Sequence, residues 1–296
     1  MKAVLFGLGS MGLGMARSLL RAGHETLGLD IDPAREAAFR AEGGAATPRA
    51  EALAGADAVV VVVVNAAQAD AVLFGDGGAA GLMRPGSVVI NSPTVSPDYA
   101  RATEARLAER GIHYLDAPIS GGAAKSEAGE LTIMASGTAE AFAAARPALD
   151  AMAERVFELG DRAGPAAAMK VVNQLLAGVH IAATAEAMTF GMRQGVAPAA
   201  ILETISACAG SSWMFENRGP HIVDGDYTPH SAVEIFVKDL GIVSDIARDA
   251  RFSAPLAAAA LQQFLAAAGA GYGREDDAAV AKIYARNAGI TLPGDD

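Results

Sequence analysis

The chain has 296 residues, 52% of them hydrophobic and 68 of them alanine, so about two domains with cores of their own are expected and disorder is excluded. A net charge of −11 with no Lys/Arg cluster argues against nucleic acid and anionic membrane as partners, while a few local cations still permit a small anionic substrate. The single Cys208 closes no internal disulfide, no Cys/His spacing suggests a metal, and no secretory pattern precedes the first strand, so a cytoplasmic address is expected. The longest compelling apolar block, Ala58–Val64, falls far short of the roughly 18 residues a membrane span needs.

Along the chain, Ala3–Phe6 reads as a strand closed by glycines, and Met11–Ala22 follows with helical spacing. Leu27–Asp30 reads as a second strand, after which Pro33 suits the first turn of a helix. Ala58–Val64 lacks polar alternation, as expected for a parallel strand buried on both faces. Val88–Asn91 and His113–Asp116 read as further strands around a helix at 97–110. Leu131–Ala135 and Val156–Leu159 flank another helix at 139–152. This alternation predicts an α/β fold, a doubly wound Rossmann-type domain over residues 1–163. After Gly164-Pro165 the strand signal stops. A helix of roughly 43 Å is expected over 166–194 at 1.5 Å per residue, beginning an all-helical domain over 164–296. Further helices are expected at 198–208, 232–251, 254–268 and 276–288, separated by Asp224-Gly225-Asp226 and the Gly269–Gly273 run.

Gly7-Leu8-Gly9-Ser10-Met11-Gly12 is the G-x-G-x-x-G pattern in its proper place, between a strand and a helix. Its first glycine permits the tight turn, its second lets a pyrophosphate reach the backbone, and its third lets helix pack on strand. Asp30 closes the second strand where a carboxylate would accept from ribose hydroxyls and repel a 2′-phosphate. NAD is therefore expected over NADP, with Arg35 nearby as a complication. The other strand ends supply Asn65, Thr94 and Ser120-Gly121-Gly122, the last a hydroxyl beside two open amides that suits a carboxylate. Lys170 interrupts an alanine-rich helix with Asn173 at i+3 on its face. Spacing leaves open whether the lysine snorkels to solvent or works with Asn173. Lys238-Asp239 reads as a surface pair, and 210–218 either faces a ligand or buries the chain's Trp213 in an amphipathic helix.

Four stretches, GLGSMG at 7–12, DAPISGG at 116–122, GPAAAMKVVNQ at 164–174 and FVKDLGI at 236–242, together resemble the β-hydroxyacid dehydrogenase family in order and spacing. That resemblance implies Lys170 as catalytic lysine, Ser120, Gly121 and Gly122 on the substrate carboxylate, and Asn173 on the substrate or the lysine. It implies dinucleotide contacts from Gly7 to Gly12, Asp30, Asn65 and Thr94, with Lys238 closing over the cofactor. Lys125, where glycine is frequent, and Gln174, in place of a second asparagine, depart from family usage. The stretches at 91–94, 122–125 and 210–218 look most like the L-threonate dehydrogenase branch. The implied reaction is NAD-dependent oxidation of a small hydroxycarboxylate. Lys170 would take the hydroxyl proton, its ammonium form disfavoured by an apolar helix face and a cationic nicotinamide. A 3-hydroxyisobutyrate dehydrogenase, a tartronate or succinic semialdehyde reductase, an imine reductase and a catalytically silent NAD-binding protein remain alternatives. A homodimer or homotetramer associating through the long helix is expected.

Overall fold

Apolar runs such as the valines of 58–61 must be covered on both sides, and five strands form one parallel sheet in the unit Met1–Lys170. They are β1 (Lys2–Phe6), β2 (Glu25–Leu29), β3 (Ala58–Val61), β4 (Val88–Asn91) and β5 (His113–Asp116), in the order β2-β1-β3-β4-β5. Leu5, Val60, Ile90 and Leu115 fill a core with Met15, Leu19 and Leu149. Val4, Val59, Val89 and Tyr114 fill another with Leu53, Leu73 and Leu107. Strand order reverses between β1 and β3, and in such sheets the ligand crevice opens at that reversal, outside the carboxyl ends. The computed structural model describes residues 1–294.

The two later strands do not extend this sheet. β6 (Ile119–Ser120), β7 (Leu131–Ala135) and β8 (Ala153–Glu158) form a separate three-stranded sheet, with β6 antiparallel and β8 parallel to β7. Two-residue β6 is too short to show any periodicity, so the sequence presents it as loop.

The long helix runs Pro165–Arg193, 29 residues. Its start coincides with the change of pattern at Gly164-Pro165, while the two compact units divide within it, between Lys170 and Val171. By length and composition this helix could cross a membrane, with a mean hydropathy of 1.3 over its best 18-residue window, which a search for unbroken apolar blocks overlooks. Of that window 44% is buried, and Ile181, Ala182, Ala185 and Met188 lie in the core of the second unit, as in the central helix of a folded domain.

The described residues of the second unit, 171–294, are helical, with Pro198–Ser206, Val233–Asp249, Pro255–Ala267 and Val280–Ala288 close to expectation. Buried alanines (Ala177, Ala257, Ala260 and Ala281) let these helices approach closely around Phe215, Phe236 and Phe264. Trp213–Asp224 is a further helix, the alternative raised for 210–218, and it continues through Gly219-Pro220, a pair that normally breaks one. Ser212 caps it by accepting from Phe215 N at 3.0 Å. Trp213 is 60% exposed, so it is not the core residue that an amphipathic reading suggests.

Candidate active site

The glycine turn leaves β1 at the carboxyl edge of the parallel sheet. Gly7 has φ +96°, and a Cβ there would lie 2.1 Å from the Val62 carbonyl oxygen. A Cβ on Gly12 would lie 1.7 Å from the Gly7 carbonyl oxygen, so the turn and the helix crossing both require glycine. Gly9 differs. A Cβ there would meet only Arg35 Nη1, at 3.8 Å, so packing within the chain does not require glycine. Among the described residues, no side chain caps the helix Gly12–Arg21 that the turn opens. Open backbone beside an uncapped helix start fits a pyrophosphate, and the residues present therefore fit a dinucleotide.

Asp30 follows β2, its side chain 7% exposed. Its Oδ2 accepts from Leu8 N at 2.7 Å and its Oδ1 from Asp32 N at 2.9 Å, joining the acidic residue to the glycine turn. Arg35 lies 3.8 Å from Asp30 and 3.6 Å from Asp32, so its charge is shared with two carboxylates. Ile31 beside them is 99% exposed.

Asn65 caps the helix Ala66–Phe74 by accepting from Gln68 N at 2.9 Å, and Thr94 lies half-buried after β4. Ser120 ends β6, and Gly121 and Gly122 both take positive φ, +132° and +76°. A Cβ at Gly121 would stand 2.9 Å from Lys125 Cβ, whereas Gly122 opens onto free space. Lys125 itself pairs with Glu154 at 3.2 Å.

Lys170 lies in the second turn of the long helix and is 8% exposed. Its Nζ donates to the Ile119 carbonyl at 2.8 Å, which brings the amine to the residue before Ser120. The helix start is held by two side chains that sequence reasoning did not single out. Asp116 Oδ2 accepts from Gly164 N at 3.1 Å and Ala167 N at 2.9 Å, and Ser136 Oγ accepts from Ala166 N at 3.0 Å. Burial pushes the Asp116 carboxyl up to about 6 against the opposing pull of these hydrogen bonds.

In the second unit, Asn173 and Lys238 are the ends of one chain of contacts. Asn173 Nδ2 donates to Gln174 Oε1 at 2.8 Å, Gln174 Nε2 donates to Asp239 Oδ2, and Lys238 Nζ lies 2.7 Å from Asp239 Oδ1. Asp239 is buried, so the surface reading of this pair is corrected: its carboxylate is desolvated and held by both partners. Gln174 is the residue that reaches it from the long helix.

Comparison with known proteins covers almost the entire chain. A family model for the NAD binding domain of 6-phosphogluconate dehydrogenase matches residues 2–160. A second, for the NAD-binding of NADP-dependent 3-hydroxyisobutyrate dehydrogenase, matches 164–284. The chain is 54% identical to an L-threonate dehydrogenase of Cupriavidus necator, across 98% of this chain and 97% of that one. It is 48% identical to an L-threonate dehydrogenase of Escherichia coli K12, across 98% and 96%. A crystal structure described as 3-hydroxyisobutyrate dehydrogenase from Salmonella typhimurium is similar at 51% identity and a TM-score of 0.90, covering 95% of this chain and 99% of that one.

Proposed function

The chain belongs to the β-hydroxyacid dehydrogenase family, in its L-threonate dehydrogenase branch, and from that premise we propose that it oxidises L-threonate at C2 with NAD, using Lys170 as general base. Membership makes it an NAD(P)-dependent hydroxyacid dehydrogenase. The observation that carries the mechanistic reading is the buried Lys170 amine, 2.8 Å from the carbonyl of Ile119 at the head of the Ser120-Gly121-Gly122 segment.

The bound dinucleotide supplies the hydride acceptor. Gly7, Leu8, Gly9, Ser10, Met11 and Gly12 are assigned to its phosphates, Asp30 to its ribose, and Asn65, Thr94 and Lys238 to further contacts with it. Ser120 Oγ and the amides of Gly121 and Gly122 hold the substrate carboxylate, and Asn173 holds the substrate or the lysine. Lys170 Nζ takes the C2 hydroxyl proton while the C2–H bond breaks with its electron pair, leaving a carbonyl at C2. In the reverse direction the protonated amine returns that proton to the oxygen. Asp30 supports NAD over NADP, because its carboxylate is fixed by two amides and would repel a 2′-phosphate. A reducing cytoplasm suits the exposed, free Cys208. A homodimer or homotetramer is supported by Val172, Leu176 and Phe190 on the long helix, which are exposed apolar residues.

A second reading, 3-hydroxyisobutyrate oxidation or semialdehyde reduction by the same residues, is favoured by the description of the Salmonella typhimurium structure. Initial rates with L-threonate, 3-hydroxyisobutyrate, D-glycerate and tartronate semialdehyde, each with NAD(H) and NADP(H), separate the two. L-threonate with NAD is expected to give the highest kcat/KM. A higher value for any other pair overturns this choice of substrate or cofactor.

A further inference from the structure

A helix start leaves its first amides without partners inside the helix. In the helix that carries Lys170, Pro165 has no amide hydrogen, and the first internal bond runs from Ala168 N to Gly164 O at 2.9 Å. The amides of Gly164, Ala166 and Ala167 need acceptors from elsewhere, and Asp116 and Ser136 supply all three. These two residues are also joined through their backbones, Asp116 N to Ser136 O at 3.0 Å and Ser136 N to Asp116 O at 2.9 Å. Three residues beyond Asp116 comes Ile119, whose carbonyl receives Lys170 Nζ at 2.8 Å. One strand exit therefore holds both the start of the helix and the tip of its lysine.

We infer that Asp116, with Ser136, is a positioning residue for Lys170, and that it acts by accepting hydrogen bonds rather than by its charge. This inference rests on the reading of Lys170 as the base. Both backbone amides converge on Oδ2, and among the described residues nothing donates to the buried Oδ1. Asn91, paired in register with Asp116 on β4, likewise keeps a buried Oδ1 with no partner among the described residues. An asparagine at 116 places a carbonyl oxygen where Oδ2 stands and an amide where Oδ1 stands, so the acceptor survives the loss of charge. An alanine removes it, and the first turn, which ends three residues before Lys170, loses two of its three outside partners.

The test measures kcat, KM for L-threonate and the NAD dissociation constant in the full-length protein. Asp116→Ala is expected to lose roughly 30-fold or more in kcat with KM and NAD affinity within about threefold, since a base displaced by about 1 Å costs turnover before binding. Asp116→Asn is expected to keep kcat within about threefold of the parent. Asp116→Ala at parental kcat, or a loss matched in NAD affinity, overturns the positioning role, and Asp116→Asn as impaired as Asp116→Ala overturns the acceptor mechanism. Should Asp116→Ala not fold, Ser136→Ala decides. A loss of more than about threefold in kcat at unchanged NAD affinity supports the inference, and kcat within about threefold of the parent overturns it. Full turnover by Lys170→Ala overturns this inference and the Lys170 assignment together, whereas loss there with parental kcat in Asp116→Ala overturns the inference alone.

Discussion

On the proposed reading Asp30 has two tasks on one carboxylate, since the group proposed to hold the ribose also accepts from the Leu8 amide through Oδ2. Removing it loosens the glycine turn and deletes a charged acceptor, a contact worth about 1.5–3 kcal/mol. Asp30→Ala is therefore expected to weaken NAD by about tenfold or more while NADP weakens less, because the repulsion of a 2′-phosphate goes with the carboxylate. Fluorescence titration with both cofactors checks this, and an unchanged NAD/NADP ratio contradicts it. Asp30 could be read from the sequence because its distance from the glycine turn is set by one strand-helix-strand unit. Asp116 could not. The amides it accepts from lie 48 and 51 positions further on, and no local spacing reports such a pairing.

At the scale of the element, the glycine turn separates what packing requires from what a ligand requires. Gly12→Ala drives a Cβ into the Gly7 carbonyl, with 1.7 Å between them, and is expected to lower the unfolding temperature by several degrees. Gly9→Ala meets only the far end of Arg35, so its unfolding temperature is expected to stay close to that of the parent while NAD affinity falls about tenfold or more. Thermal unfolding and NAD titration of both variants decide it, and parental NAD affinity in Gly9→Ala removes the pyrophosphate role. The strands around this turn were legible because apolar runs of this kind have few other uses. The helix Trp213–Asp224 was legible only as one of two readings of 210–218 and not to its end, since Pro220 sits inside it and Phe215, Arg218 and Ile222 are buried by the tertiary structure. The separate sheet β6-β7-β8 was hidden in the same way, because its identity depends on which strands pair and not on their composition.

Across the whole molecule, each unit contains a buried acid that stays protonated unusually high. Desolvation pushes Asp116 in the first unit and Asp277 in the second up to about 6, the latter despite its paired contacts with Arg218 at 2.5 and 3.0 Å. The folded values lie above the unfolded carboxylate value, so the native state holds these protons between about pH 4 and 6, and stability falls as pH rises through that window. Glu104 adds to the Asp116 shift by its negative charge. An asparagine does not titrate. Asp116→Asn is thus expected to be more stable than the parent at pH 8, by at most about 3 kcal/mol, with the gap closing towards pH 4.5. Urea midpoints at the two pH values test this, and a gap that does not depend on pH contradicts it.

The division into an α/β half and a helical half was readable from the loss of strand signal at Gly164-Pro165, and the alanine content from helices that pack closely. What the acidic total charge concealed is that the proposed chemistry rests on a buried amine and a few backbone amides. The most direct measurement is the rate of NADH formation from L-threonate by Lys170→Ala, with its NAD dissociation constant measured alongside. Turnover is expected to fall roughly 10²–10⁴-fold with NAD still bound at parental affinity. Turnover close to the parental rate would contradict the assignment of Lys170 as the base.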